Sequence, residues 1–194
     1  MRLIRITPPG TSPVSLQEAK AHLRLEHSDD DALIDHYLQA AVQRLDGRDG
    51  FLGRALITQT WKLLLDGFPD AITVPLPPCQ AVAEIAYVDA AGTVQTLAAD
   101  AYQVFGLADA APAGIVPAYG KAWPATRPMR EAVAVTFRAG YGDSAADVPA
   151  PLRTAILQLA ATLYANRETI TAGAVDELPD GALATLAEHR VWAF

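Results

Sequence analysis

The sequence predicts an α+β fold, and three observations predict it. Helical periodicity occupies both ends of the chain. Between the ends the apolar spacing shortens to period two over about six or seven short runs. Those runs follow one another through turns and do not alternate with helices, which argues against a βαβ order and for a central, mainly antiparallel β subdomain. The segments read as 1–57, N-terminal and helical; 58–142, the β subdomain; and 143–194, a C-terminal helix, linker and tail. The two helical segments are expected to pack as one core. Of the 194 residues, 51% are hydrophobic and 19% charged, too apolar for a disordered chain and enough for a real core with apolar surface left for partners.

Residues 2–6, RLIRI, alternate loosely and stop at Thr7-Pro8-Pro9-Gly10, as a short strand or extended arm would. Ser15 followed by Glu18 is a capping box opening a helix to about Leu25, with Leu16, Ala19 and Leu23 on its apolar stripe. A second helix starts near Ser28 to Asp30 and carries Leu33, Ile34, Tyr37, Leu38, Ala41, Val42 and Leu45 at helical spacing, ending around Gly47. From Thr60 the pattern is strand-like, with Trp61, Leu63 and Leu65 on one face, then a turn at Asp66–Asp70. Ile72–Leu76 is a second strand, and Pro75 places it at an edge or strand end. Val82–Val88 and Thr93–Leu97 flank Asp89-Ala90-Ala91-Gly92, a hairpin signal. Tyr102–Phe105, Ile115-Val116 and Val133–Ala139 complete the strands.

The stretch from Ala132 to Tyr164 joins the two kinds of structure. An apolar strand stops at Gly140-Tyr141-Gly142, where glycine allows a sharp corner, so Gly140 and Gly142 read as a structural hinge. The chain then crosses a short acidic loop and enters a helix through Pro149 and Pro151, tolerated because first-turn amides have no partner within the helix. Leu152, Ala155, Ile156, Leu159, Ala160, Leu163 and Tyr164 form its broad apolar stripe. Asp180–Arg190 is a last short helix, followed by the aromatic end Val191-Trp192-Ala193-Phe194.

Chemistry-bearing candidates are few. A net charge of −7 argues against a surface whose main task is gripping phosphate. The lone Cys79 excludes an intrachain disulfide and reads as a small buried residue. Asp29-Asp30-Asp31, with His27 and His36 nearby, reads as an N-cap and first turn complementing a helix dipole; no second cluster at metal spacing supports a metal site. The four histidines pair with no nucleophile motif, and phosphate-loop, dinucleotide, nucleophile-elbow and zinc-protease signatures are absent. The loop from Pro117 to Pro128 holds Tyr119, Trp123 and Arg127. It is either a stiff connector with Trp123 plugging the sheet, the favoured reading, or a glycan or peptide platform. No stretch is apolar enough for a membrane helix and the N-terminus lacks a signal-peptide core, so a soluble protein without membrane partners, made in a cytoplasm, is expected.

The order PVSLQEAKAHLRLEHSDDDALI, GRALITQTWKLLLDGFP, PAYGKAWPATR, AVAVTFRAGYGDSAADVPAPLRTAILQLAATLYANRE and a final RVW resembles the head-tail connector family of long-tailed phages, also called adaptor or head-completion proteins, with relatives in prophages and gene transfer agents. One departure is Gly47-Arg48-Asp49-Gly50-Phe51, which interrupts the chain where the second helix would run on. The resemblance implies a structural virion protein of the phage neck, without catalytic residues, cofactor or metal. It implies a homo-oligomeric ring, dodecameric in the virion, bound beneath the portal protein after DNA packaging and offering a platform to the next neck or stopper protein. DNA would pass through without sequence-specific binding, and assembly would occur in the bacterial host cytoplasm. Val191, Trp192 and Phe194 are then candidates for docking on the portal, or else fold back on their own subunit. A stopper or tail terminator is the alternative within the virion.

Overall fold

The computed structural model describes residues 1–166 and 180–191. It divides into two compact units, one of residues 1–10 and 58–141, the other of residues 11–57 and 142–194. The mixed α+β class holds: helices lie toward both ends of the chain, and antiparallel strands between them.

The first unit is built of strands. Eight are present among the described residues, where six or seven are expected, because the N-terminal arm is itself a strand. They are β1 (Arg2–Thr7), β2 (Gln59–Leu65), β3 (Ile72–Val74), β4 (Cys79–Val88), β5 (Val94–Thr96), β6 (Tyr102–Phe105), β7 (Ala113–Pro117) and β8 (Val133–Ala139). Five form one antiparallel sheet in the order β1-β2-β8-β4-β5, and three form a second in the order β3-β7-β6. Residues 1–10 therefore lie with the sheet and not with the helices that follow them: Arg2 to Arg5 pair with Leu64 to Trp61.

The register explains the core. On β8 the residues Val133, Val135, Phe137 and Ala139 are fully buried at period two. Trp61 faces Phe137 and Leu63 faces Val135 from β2, while Ile85 faces Val135 from β4, so one side of the large sheet is continuously apolar. β4 reaches that register only through two irregularities, one between Cys79 and Ala81 and one between Val82 and Glu84. In the small sheet Ile72, Val74, Ala113 and Ile115 are buried, and Pro75 follows β3 at its edge, as its missing donor requires.

The second unit contains α1 (Leu16–Leu23), α2 (Asp31–Leu45), α3 (Ala150–Ala165) and α4 (Asp180–His189). The capping box is formed: the Glu18 amide donates to Ser15 Oγ at 3.2 Å, and the Ser15 amide donates to Glu18 Oε2 at 2.9 Å. On α2 the buried residues Ile34, Leu38, Ala41 and Leu45 make a single stripe. α3 buries Leu152, Ala155, Ile156, Leu159 and Ala160. α4 buries Ala182 and Leu186.

Polar contacts tie these helices together. Two acids at the start of α2 reach the neighbouring helices. Asp30 occupies the N-cap position, yet its carboxylate makes no cap bond and accepts from the Tyr164 hydroxyl of α3. Asp31 pairs with Lys20 of α1 at 2.6 Å, and Arg153 of α3 pairs with Glu18.

Candidate functional site

Three places carry the residues that the sequence singles out. The first is the corner after β8. Gly140 has φ 129°, a backbone geometry that side chains rarely adopt, so it is the glycine whose freedom the turn requires. Its amide donates to Pro78 O at 2.9 Å, and the Gln80 amide group donates both to Gly140 O at 2.8 Å and to Thr58 Oγ1 at 2.7 Å. Gly142 is needed for space: a Cβ there would fall 2.3 Å from Asp147 Oδ2 and 2.6 Å from Asp147 Cβ. Asp147 is locked in place by accepting from the amide and the hydroxyl of Ser144, both at 2.9 Å. These bonds, the amide's first, hold the Asp147 carboxyl below its ordinary pKa. The chain leaves the sheet unit between Tyr141 and Gly142.

The second place is the loop from Pro117 to Pro128. Trp123 stacks on Phe68, with centroids 4.7 Å apart and planes 8° from parallel, and Phe68 meets Tyr87 edge-on at 5.7 Å. The Trp123 indole N–H donates to Asp70 O at 3.4 Å. Arg127 lies elsewhere, its guanidinium against Gly92 in the β4–β5 turn and its amide donating to Val88 O at 3.0 Å. Tyr119 is 97% exposed. Trp123 and Arg127 thus each have contacts of their own, Phe68 and Asp70 for the first and the β4–β5 turn and Val88 for the second.

The third place is the C-terminus. Trp192 and Phe194 lie outside the described residues. Val191 is described, and its amide donates to Leu52 O at 2.9 Å. The loop Gly47–Arg54 that receives it was visible in the sequence only as an interruption of α2. Nothing in its composition announces that Leu52 and Arg54 are buried.

The described residues hold no cluster of three or more histidines, cysteines or carboxylates placed for a metal ion. Among them no helix is long and apolar enough to cross a membrane. Burial pushes the Cys79 thiol up to about 11, so it is an inert core group rather than a nucleophile.

The chain has likenesses among known families and solved structures. Residues 13–91 match the family described as phage gp6-like head-tail connector protein. No curated protein sequence matches the chain. Among solved structures, the neck of an empty gene transfer agent particle computed with C6 symmetry contains a chain 29% identical to this one. The two superpose with a TM-score of 0.78, covering 100% of this chain and 97% of that one. The virion of the native gene transfer agent particle matches with the same identity, coverage and TM-score. The native neck computed with C12 symmetry gives 29% identity and a TM-score of 0.73 over the same shares. The head-tail connector resemblance read from the sequence thus stands on two findings, a family match across α1, α2 and strands β2 to β4, and a fold shared from end to end with a chain of gene transfer agent necks.

Proposed function

We propose that this chain is a structural neck subunit, a head-tail connector that completes the DNA-filled head and joins it to the tail. The observation that carries the reading is the match over 100% of the chain to a neck chain at 29% identity. Its role is mechanical, and we assign it no catalytic residue or cofactor. It works as a homo-oligomeric ring, and the C12 symmetry of one similar neck supports twelve copies. The ring sits under the portal protein, receives the next neck or stopper protein on its other side, and assembles in the host cytoplasm.

Physical features of the chain support this reading. A closed ring uses one heterologous interface, so each subunit must offer two different faces. Among the described residues, the large hydrophobic side chains left exposed, such as Phe105, Leu107, Val94 and Met129, all belong to the sheet unit. That favours ring or neck contacts through the sheet unit as well as through helices. A net charge of −7 suits a subunit around a DNA conduit, since a basic lining would bind phosphate and retard passage.

Val191, Trp192 and Phe194 are the proposed portal-docking residues, because aromatic side chains commonly anchor interfaces. The test is co-sedimentation with the portal protein, comparing the full chain with one lacking residues 191–194. Loss of co-sedimentation by a folded protein is the expected result, and unchanged binding would end the docking assignment. In the same experiment the chain alone should scatter light as a monomer and form rings only with portal. A tight portal-independent dimer or hexamer would contradict that order of assembly.

A further inference from the structure

The loop that interrupts α2 is tied to the helix it leaves. The Phe51 amide donates to Arg44 O at 2.8 Å, the Leu52 amide to Leu45 O at 3.3 Å and the Gly47 amide to Arg54 O at 2.6 Å. The Leu56 amide donates to Asp46 Oδ1 at 2.7 Å. Gly50 lies so close to the end of α2 that a Cβ would fall 2.4 Å from Asp46 O. Main-chain carbonyls of the last helical turn are thereby satisfied by the loop itself, which makes it a rigid receiver.

What it receives is the C-terminal end of α4, through four contacts of different chemistry. Arg54, only 6% exposed, donates from Nε to His189 O, placing a buried cation at the negative end of the α4 dipole. The Arg190 guanidinium lies over the Phe51 ring, 4.4 Å from its centroid. The Val191 amide donates to Leu52 O at 2.9 Å. Gly53, at φ 60°, brings its backbone so near that a Cβ would lie 3.3 Å from Val191 O and 3.6 Å from Val191 Cβ. A helix of ten residues is too short to hold itself in water. Its last turn is held by this loop.

We infer that the loop Gly47–Arg54 is a latch that fixes the position of Val191, so that the docking end beginning there is presented to its partner from a set position. This rests on the docking reading above. Holding Val191 in place before the partner arrives lowers the cost of binding, which is the general benefit of pre-organisation.

The test uses the full chain and the portal protein. In Phe51→Ala and Gly53→Val, hydrogen exchange at the Val191 amide and in α4 should quicken by at least about tenfold while β2 and β8 keep their protection. Portal co-sedimentation should weaken by roughly tenfold. A second pair, Gly53→Cys/Val191→Cys, locks the latch, since the 3.6 Å Cβ separation lies in the disulfide range. The buried Cys79 does not compete for oxidant. The oxidised form should bind portal at least as well as the reduced form of the same variant.

Unchanged exchange in both single variants would overturn the latch itself. Loss of portal binding on oxidation, restored by reductant, would show that docking requires the latch to open and would overturn the presenting role. If exchange quickens but portal binding stays at the wild-type level, the comparison with the chain lacking residues 191–194 separates the two failures. Binding lost only in the truncated chain overturns positioning and leaves docking intact. Binding retained there overturns both.

Discussion

Replacing Gly142 by alanine is the sharpest probe of the corner between the last strand and α3. The new Cβ would lie 2.3 Å from Asp147 Oδ2, 2.4 Å from Cγ and 2.6 Å from Cβ, whereas such atoms pack no closer than about 3.5 Å. Rotating the carboxylate away is not enough, because Asp147 Cβ itself stands in the way. The backbone of the turn Ala145–Asp147 must move by roughly 1 Å, and its two bonds from Ser144 are lost or lengthened. Overpacking of this kind costs about 1–3 kcal/mol, and the reduced freedom of alanine in the unfolded chain returns about 0.4–1 kcal/mol. A net loss of about 1–2 kcal/mol remains, which lowers Tm by roughly 2–8 °C for a chain of this size.

Urea unfolding monitored by circular dichroism measures it. The same substitution in an Asp147→Gly background tests the mechanism, since with no side chain at 147 most of the penalty of Gly142→Ala should vanish. Gly140→Ala is the contrast: its cost comes from φ 129° and should be indifferent to residue 147. A Gly142→Ala variant as stable as the wild type, or penalties that simply add, would refute the steric account.

Two further outcomes follow from side-chain contacts. The amide and hydroxyl of Ser15, the amide first, together with Arg153, hold the Glu18 carboxyl below its ordinary 4.5. A depressed folded-state value means stability that is present above pH 4.5 and lost as pH falls through the folded value. The urea midpoints of wild type and Glu18→Gln should therefore differ at pH 7 and converge as the pH drops below 4.5; parallel curves would rule out the linkage. Trp123→Ala removes the stack on Phe68 and should cost about 0.5–1.5 kcal/mol beyond the lost burial, with a loss of tryptophan fluorescence that tracks unfolding. If the variant keeps full stability, Trp123 is not a packing residue.

Much of the fold was legible because local signals and tertiary structure agree. The alternation along Val133–Ala139 announces a strand buried on one face, and that strand is the centre of the large sheet. Ser15 and Glu18 announce a helix start that needs no tertiary support to be recognised. What was not legible depends on partners distant in sequence. Arg2–Thr7 reads as strand or arm with equal ease until β2, more than fifty residues on, pairs with it. The division of the strands into two sheets is invisible for the same reason, since β3 and β7 show the same short apolar runs as β2 and β8. The acids of Asp29-Asp30-Asp31 sit where a helix start predicts, but the partners of Asp30 and Asp31 are a tyrosine and a lysine on two other helices.

The candidate sites divide along the same line. Gly140 was legible because a left-handed backbone position selects glycine whatever surrounds it. Gly142 was legible only as a residue type, for its reason is Asp147, a neighbour that the turn brings back onto it. Trp123 carries no mark of its partner, and Phe68 shows in the sequence only as part of a turn. The loop Phe51–Arg54 was the least legible. Its residues have no period, and Arg54 looks like a surface cation until α4 brings a carbonyl to it. Its one sequence signal was negative, a helix that stops too soon. A break of that kind has a physical reason when the released backbone bonds to something else, and here the Leu52 carbonyl accepts from Val191. An unexplained helix end ahead of an apolar run therefore marks a receiver for another segment, and the segment it receives is where a contact with function should be sought.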